Sequence, residues 1–113
     1  MAQKVPDLSR GEMAVLATLV SKDERYGLEI RNVLHELGQP LSLAGLYSTL
    51  ARLERQGLVT ARWGDEEIEA RQGARRRYYA ITGLGSKALR HAKAVLTKML
   101  RAVPNVAHVG ALA

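Results

Sequence analysis

The residues best equipped for recognition chemistry are arginines, and they are unevenly placed. Arg71, Arg75, Arg76 and Arg77 crowd one short segment, and Arg52 closes a stretch of small and hydroxylated residues. A planar guanidinium forks onto phosphate oxygens or onto the acceptor edge of guanine, and it suits a narrow, electronegative minor groove. Upstream of Arg52 stand Ser42, Ala44, Gly45, Tyr47, Ser48 and Thr49. Small residues let a duplex groove approach closely, and hydroxyls bond phosphates or base edges. Ser42, Ala44, Gly45, Tyr47, Ser48, Thr49, Arg52, Arg71, Arg75, Arg76 and Arg77 are therefore the candidate contacts to double-stranded DNA. The same residue types also suit an ordinary solvated face. Asp65, Glu66, Glu67 and Glu69 could pair with the neighbouring arginines when DNA is absent.

Other chemistries find little support. There is no cysteine, so disulfides and thiolate metal sites are excluded. His35, His91 and His108 lack metal-ligand spacing and acidic partners and read as surface or packing residues, so no metal and no cofactor is expected. No nucleophile–base pair stands out, and the chain does not read as an enzyme. Gly83-Leu84-Gly85-Ser86-Lys87-Ala88 imitates the glycine fingerprint of a dinucleotide site. That site needs repeated βαβ units and an acid about 20 residues further on, and no acid follows Glu69. Trp63, Tyr78 and Tyr79 could stack on a flat ligand, but such residues more often anchor a hairpin to its helices.

Charge distribution adds to the case. The chain of 113 residues carries a net charge of +6. Before Ala70 there are 8 Lys/Arg and 11 Asp/Glu; from Ala70 onward there are 9 Lys/Arg and no acid. A cationic field concentrated in this way suits a polyanionic partner. The longest apolar stretch, Met13 to Val20, is far short of the roughly 20 residues that span a bilayer, so no membrane partner is expected. The N-terminus shows no signal-peptide pattern, and the expected location is the cytoplasm.

The elements that must position these residues follow from caps and periodicity. Ser9-Arg10-Gly11-Glu12 fits a capping box, and Met13, Leu16, Leu19 and Val20 give a first helix over about Arg10 to Val20. Ser21 to Arg25 reads as a charged turn. Tyr26-Gly27 opens a second helix with Ile30, Val33, Leu34 and Leu37 on its apolar face, stopped by Gly38 and Pro40. Ser42 caps a third, on which Leu43, Leu46, Leu50 and Leu53 face inward and Gly57 ends the run. Gly45, read as a mid-helix glycine, marks a place of close approach. The outward face then holds Ala44, Gly45, Tyr47, Ser48, Ala51, Arg52 and Arg55. Leu58 to Trp63 and Arg77 to Ile81 read as two antiparallel strands around a polar loop. Alternation places Arg75 and Arg77 with Tyr79, and Arg76 with Tyr78. Thr82 caps a last helix from Gly83 to about Val103, and Pro104 follows.

This order specifies a mainly α (α+β) winged helix-turn-helix: three helices plus a two-stranded antiparallel wing, then a long C-terminal helix. The DNA-binding unit is residues 8–82, the dimerisation helix 83–103, and 104–113 a loose tail. Leu89, Ala92, Leu96, Met99 and Val103 recur at spacings of three and four, broadened by Leu84, Ala88, Val95 and Leu100. A second copy is the simplest cover for that stripe. Leu84, Leu89, Ala92, Leu96, Met99, Leu100 and Val103 are the candidate dimer contacts, and twofold symmetry would present two recognition helices to a palindrome. Folding back onto its own domain is the alternative for the stripe.

These residues resemble the PadR family of bacterial transcriptional regulators, in its short form with a single C-terminal helix. The likeness rests on Tyr26-Gly27-Leu28-Glu29-Ile30, on Leu46-Tyr47 with Leu50, Arg52, Leu53 and Glu54, on Gly57-Leu58-Val59, and on Arg76-Arg77-Tyr78-Tyr79 with Ile81-Thr82 and Gly85. It covers about Leu8 to Leu100. It implies a homodimeric repressor at an operator, with Tyr47 and its neighbours on the DNA backbone. The chain departs from the family at Ser48, where proline is frequent, and at Gly45, where a hydroxylated residue is common. Some relatives hold flat aromatic compounds between C-terminal helices with a tryptophan. This helix has none, so a small-molecule effector is compatible with the reading but unsupported. The competing function is a winged-helix adaptor that binds another regulator rather than DNA. It would present large apolar residues where Gly45, Ser48 and Arg52 stand.

Overall fold

Three helices begin on side-chain caps where the sequence predicts them, at Ser9, Ser42 and Thr82. In the computed structural model, which describes residues 4–65 and 75–104, α1 (Arg10–Thr18) opens with a reciprocal box. The Glu12 N–H donates to Ser9 Oγ at 3.1 Å, and the Ser9 N–H donates to Glu12 Oε1 at 2.8 Å. The helix stops at Thr18, short of the expected Val20, where Arg25 Nε donates to the freed Thr18 carbonyl at 2.7 Å. A second helix, α2 (Gly27–Glu36), follows Tyr26. It ends at Gly38, whose φ of +74° is the left-handed turn that glycine adopts without strain. Ser42 Oγ accepts from the Gly45 N–H at 3.0 Å to start α3 (Leu43–Arg55). Gly57, at φ +75°, ends α3 in the same manner as Gly38.

The sheet is larger than the sequence indicated. The expected hairpin is present as β2 (Val59–Trp63) and β3 (Arg77–Ile81), paired from Val59↔Ile81 to Trp63↔Arg77. A third strand, β1 (Arg25–Tyr26), lies on the other edge of β3, giving the order β1-β3-β2. Its register is Arg25↔Tyr79 and Tyr26↔Tyr78. The reading of Ser21 to Arg25 as a turn therefore needs correction at its end. The extended approach to α2 satisfies backbone groups on the free edge of β3, and two residues are too few to leave a periodic trace.

The core forms where α1, α2, α3 and β2 meet. Leu16, Ile30, Leu34, Leu46, Leu50 and Leu53 are all fully buried in one cluster. Leu43 is not among them: it is 41% exposed in the first turn of α3, against the expected inward position. The last helix, α4 (Gly83–Ala102), starts at Thr82. The Thr82 hydroxyl accepts from the Gly85 N–H at 2.9 Å and donates to the Gly57 carbonyl at 2.7 Å, which pins α4 to the end of α3. A Cβ at Gly85 would collide with the Leu58 carbonyl oxygen, so the backbones meet too closely there for any side chain. The second glycine of the pattern that imitates a nucleotide fingerprint thus has a packing origin, while Gly83 meets nothing within 4 Å. Ala88 is buried in the same core, so the first turns of α4 belong with the helices before them. Of the expected tail, residues 105–113 lie outside the described residues.

Candidate nucleic-acid interface

One side of α3 is turned to solvent. Ser42, Ala44, Tyr47, Ser48, Ala51, Arg52 and Arg55 are exposed, and Gly45 is half-buried. Thr49 departs from the expected set. It is buried, because three residues after Leu46 and four before Leu53 it falls on the core side, and its hydroxyl donates to the Gly45 carbonyl at 2.8 Å. Gly45 also has a more local reason than expected. It sits in the first turn, and a Cβ there would lie 3.1 Å from the capping Ser42 Oγ. Tyr47 reaches back to α2: a Cβ at Gly27 would stand 2.5 Å from the Tyr47 hydroxyl. Gly27 is thus the residue that lets Tyr47 cross the start of α2. Sequence reading assigned it only to the helix opening.

Arg52 is steered by α1. Its Nε lies 3.4 Å from Glu12 Oε2, and the Glu12 side chain is almost wholly buried. The carboxylate that caps α1 therefore also fixes the direction of a guanidinium on α3. Capping was legible from the spacing of Ser9 and Glu12, whereas the pairing with Arg52 joins residues far apart in the chain.

Aromatic rings and carboxylates hold the wing arginines. Arg77 Nη2 donates to Glu54 Oε2 at 3.2 Å, joining β3 to α3. The Arg75 and Arg77 guanidinium carbons lie 5.3 Å and 5.1 Å from the Trp63 ring centre. Arg76 lies 4.3 Å over Tyr26, which meets Tyr78 edge-on at 5.8 Å. Arg62 stacks on Tyr78 at 4.8 Å and donates from Nε to Glu24 Oε2 at 2.8 Å. Arg77 thus has a carboxylate partner on α3. Trp63 is no core anchor either. It is 52% exposed at the end of β2 and serves as a platform for two arginines. Tyr79, 5% exposed, does anchor the sheet to the helices. Arg71 and the acids Glu66, Glu67 and Glu69 lie outside the described residues.

Titration follows these contacts. The Arg62 hydrogen bond holds Glu24 below its ordinary carboxylate value. Burial pushes Glu29 upward, but the Lys22 hydrogen bond at 2.7 Å, the Tyr26 N–H and the charges of Lys22 and Arg25 outweigh it and leave the group lowered. Burial raises the Tyr79 phenol against the opposing Arg77 charge. Among the described residues no group of His, Asp and Glu is placed to hold a metal ion. No described helix is long and apolar enough to cross a membrane.

The stripe on α4 divides in two. Leu84 and Leu89 pack against the chain's own core, and Ala92 is half-buried. Beyond them Leu96, Met99, Leu100 and Val103 stand exposed, Met99 at 56% and Leu100 at 62%.

Comparison with known proteins agrees with this architecture. Across 83 residues the chain is 31% identical to an uncharacterized protein of Lysinibacillus sphaericus, covering 70% of this chain and 72% of that one. A PadR family transcription regulator from Clostridium difficile superposes with a TM-score of 0.74 at 24% identity, over 83% of this chain and 94% of that one. The Bacillus subtilis PadR in complex with operator DNA superposes with a TM-score of 0.59 at 26% identity, over 71% of this chain and 44% of that one. Residues 15–91 match the model of the transcriptional regulator PadR-like family, a regulatory and not an enzymatic group. With its three-helix core, wing and long last helix, this chain belongs to the PadR-like family of transcriptional regulators.

Proposed function

We propose that the protein is a sequence-specific DNA-binding repressor that grips a palindromic operator as a homodimer. The observation that carries this reading is the Arg77–Glu54 contact, which ties the wing strand β3 to α3, the helix that carries Arg52. In this reading α3 enters the major groove. Ser42, Ala44, Gly45 and Ser48 allow close approach, Tyr47 meets the backbone, and Arg52 reaches a base edge. Arg75, Arg76 and Arg77, with Arg71 on the connecting loop, hold phosphates or enter the minor groove. The complex of the Bacillus subtilis relative with operator DNA supports the assignment.

A second copy covers the free half of α4 through Leu96, Met99, Leu100 and Val103, whose apolar side chains are exposed. Release by a small ligand is not part of the proposal. The open groove lined by Pro6, Leu8, Met13, Ala92 and Leu96 belongs to the same apolar surface that the second copy would cover.

The test is selection from random duplexes, followed by binding at two salt concentrations. Enrichment of a palindrome with half-sites about 34 Å apart is expected. Arg75→Ala/Arg76→Ala/Arg77→Ala should weaken every sequence and flatten the salt dependence. If selection enriches nothing at either salt, operator binding is lost and the adaptor reading replaces it.

A further inference from the structure

The outer face of α4 is as strongly patterned as the apolar one, and the operator reading makes no use of it. Lys87, Arg90, Lys93, Lys98 and Arg101 are all exposed. At about 100° per residue they fall within an arc of roughly 140°, opposite Ala88, Leu96 and Met99. They extend over about 21 Å of helix at 1.5 Å per residue. No ion pair among the described residues involves any of the five. This sets them apart from the recognition surface, where Arg52 and Arg77 each have a carboxylate. Between these cations lie Ala94 and Thr97, whose small side chains leave a shallow open channel with Arg90, Lys93, Lys98 and Arg101 along it.

We propose that this face of α4 binds the phosphate backbone of a second DNA duplex, so that the protein joins two DNA segments. Five like charges on a straight rod favour a polyanion of regular spacing, and neutralising its phosphates releases condensed counterions. An anionic membrane fits less well. A helix lying on a bilayer buries its apolar face, and here that face points the opposite way and is partly committed to the core through Ala88 and Leu89. The two proposed surfaces lie on different helices, α3 and α4, each packed against α1. This inference goes beyond the operator reading and does not require sequence preference on either duplex.

The experiment immobilises one 30-base-pair duplex and measures capture of a second, fluorescent duplex by the full-length protein. Wild type should capture the second duplex, with a yield that falls steeply with salt. Lys87→Gln/Arg90→Gln/Lys93→Gln/Lys98→Gln/Arg101→Gln should bind the immobilised duplex within about threefold of wild type but lose capture at least tenfold, an effect of the size that counterion release allows. Glutamine keeps helix propensity, and an unchanged thermal melt certifies the fold. Capture at the wild-type level by the variant, or its absence in wild type, overturns the proposal. So does loss of both binding events together, which would make the two faces one surface. Preferential binding of phosphatidylglycerol vesicles or polyglutamate through these residues would reassign the face and overturn it too. Arg52→Ala separates the two readings: it should remove sequence preference and leave capture intact.

Discussion

The surface proposed for DNA recognition and the last helix differ in how completely their own chain restrains them. On α3 and the wing, Arg52 is aimed by Glu12 and Arg77 by Glu54, while Arg75 and Arg76 lie over Trp63 and Tyr26. Restraint of this kind lowers the ordering cost at binding, because long side chains already occupy a narrow range of directions. On α4 the chain restrains only the beginning. Gly85 and Ala88 are buried, whereas Met99, Leu100 and Val103 face solvent and the opposite cations lack acidic partners among the described residues. One region is held by intramolecular contacts, whereas the other leaves its apolar and cationic side chains exposed.

Four perturbations sharpen or break that comparison. Gly85→Ala should have the largest effect, because the new methyl meets a backbone carbonyl that cannot swing aside. Destabilisation near the top of the ~1–3 kcal/mol range for overpacking is expected, read as a fall in Tm of roughly 10 °C. A Tm within a degree or two of wild type would mean that α4 is less firmly seated than its start implies. Next comes Leu96→Asp/Met99→Asp, which places charge on the uncovered half of α4. Sedimentation should change from dimer to monomer while the helical circular dichroism signal persists. A wild type that sediments as a monomer at micromolar concentration would remove the second copy altogether.

Arg52→Ala should cost about 1–3 kcal/mol of discrimination between selected and random duplexes, if the guanidinium reaches a base. An equal loss on both duplexes would place Arg52 on the backbone instead. The smallest effect belongs to Glu29, which ties Lys22, Arg25 and the Tyr26 N–H at the start of α2. Its folded value is lowered from 4.5, so its contribution to stability is present above that value and fades as pH falls through the folded one. Glu29→Gln should therefore cost about 0.5 kcal/mol at pH 7, as expected of an ion pair near the surface, and less in acid. Urea midpoints at pH 7 and pH 3 test the sign. A cost that grows in acid would contradict it.

Much of the fold was legible because its signals are local. Ser9 with Glu12, Ser42 with Gly45 and Thr82 with Gly85 each act across three residues, and Gly38 and Gly57 mark their own turns. Where reading failed, the deciding partner was remote. Nothing next to Arg25 and Tyr26 announces β1, since its cause is the open edge of β3. Trp63 carries the hydrophobicity of an anchor, and only the path of β3 shows that two arginines claim its ring. Thr49 is the exception: three residues after Leu46 and four before Leu53, it lies on the buried side of α3 by spacing alone, and only its polar neighbours suggested otherwise.

The sequence by itself determined the order of every element but β1, the caps that start α1, α3 and α4, and the segregation of apolar from cationic residues along α4. Backbone hydrogen bonding and helical periodicity act over a few residues, and so they can be read from neighbours. Tertiary structure decided which arginines are aimed and by what, because Glu12 reaches Arg52, and Glu54 reaches Arg77, only after the chain has folded between them. It also decided how much of α4 the chain covers. That depends on where α4 meets α1 and Leu58, a distance in space that no spacing in the sequence encodes.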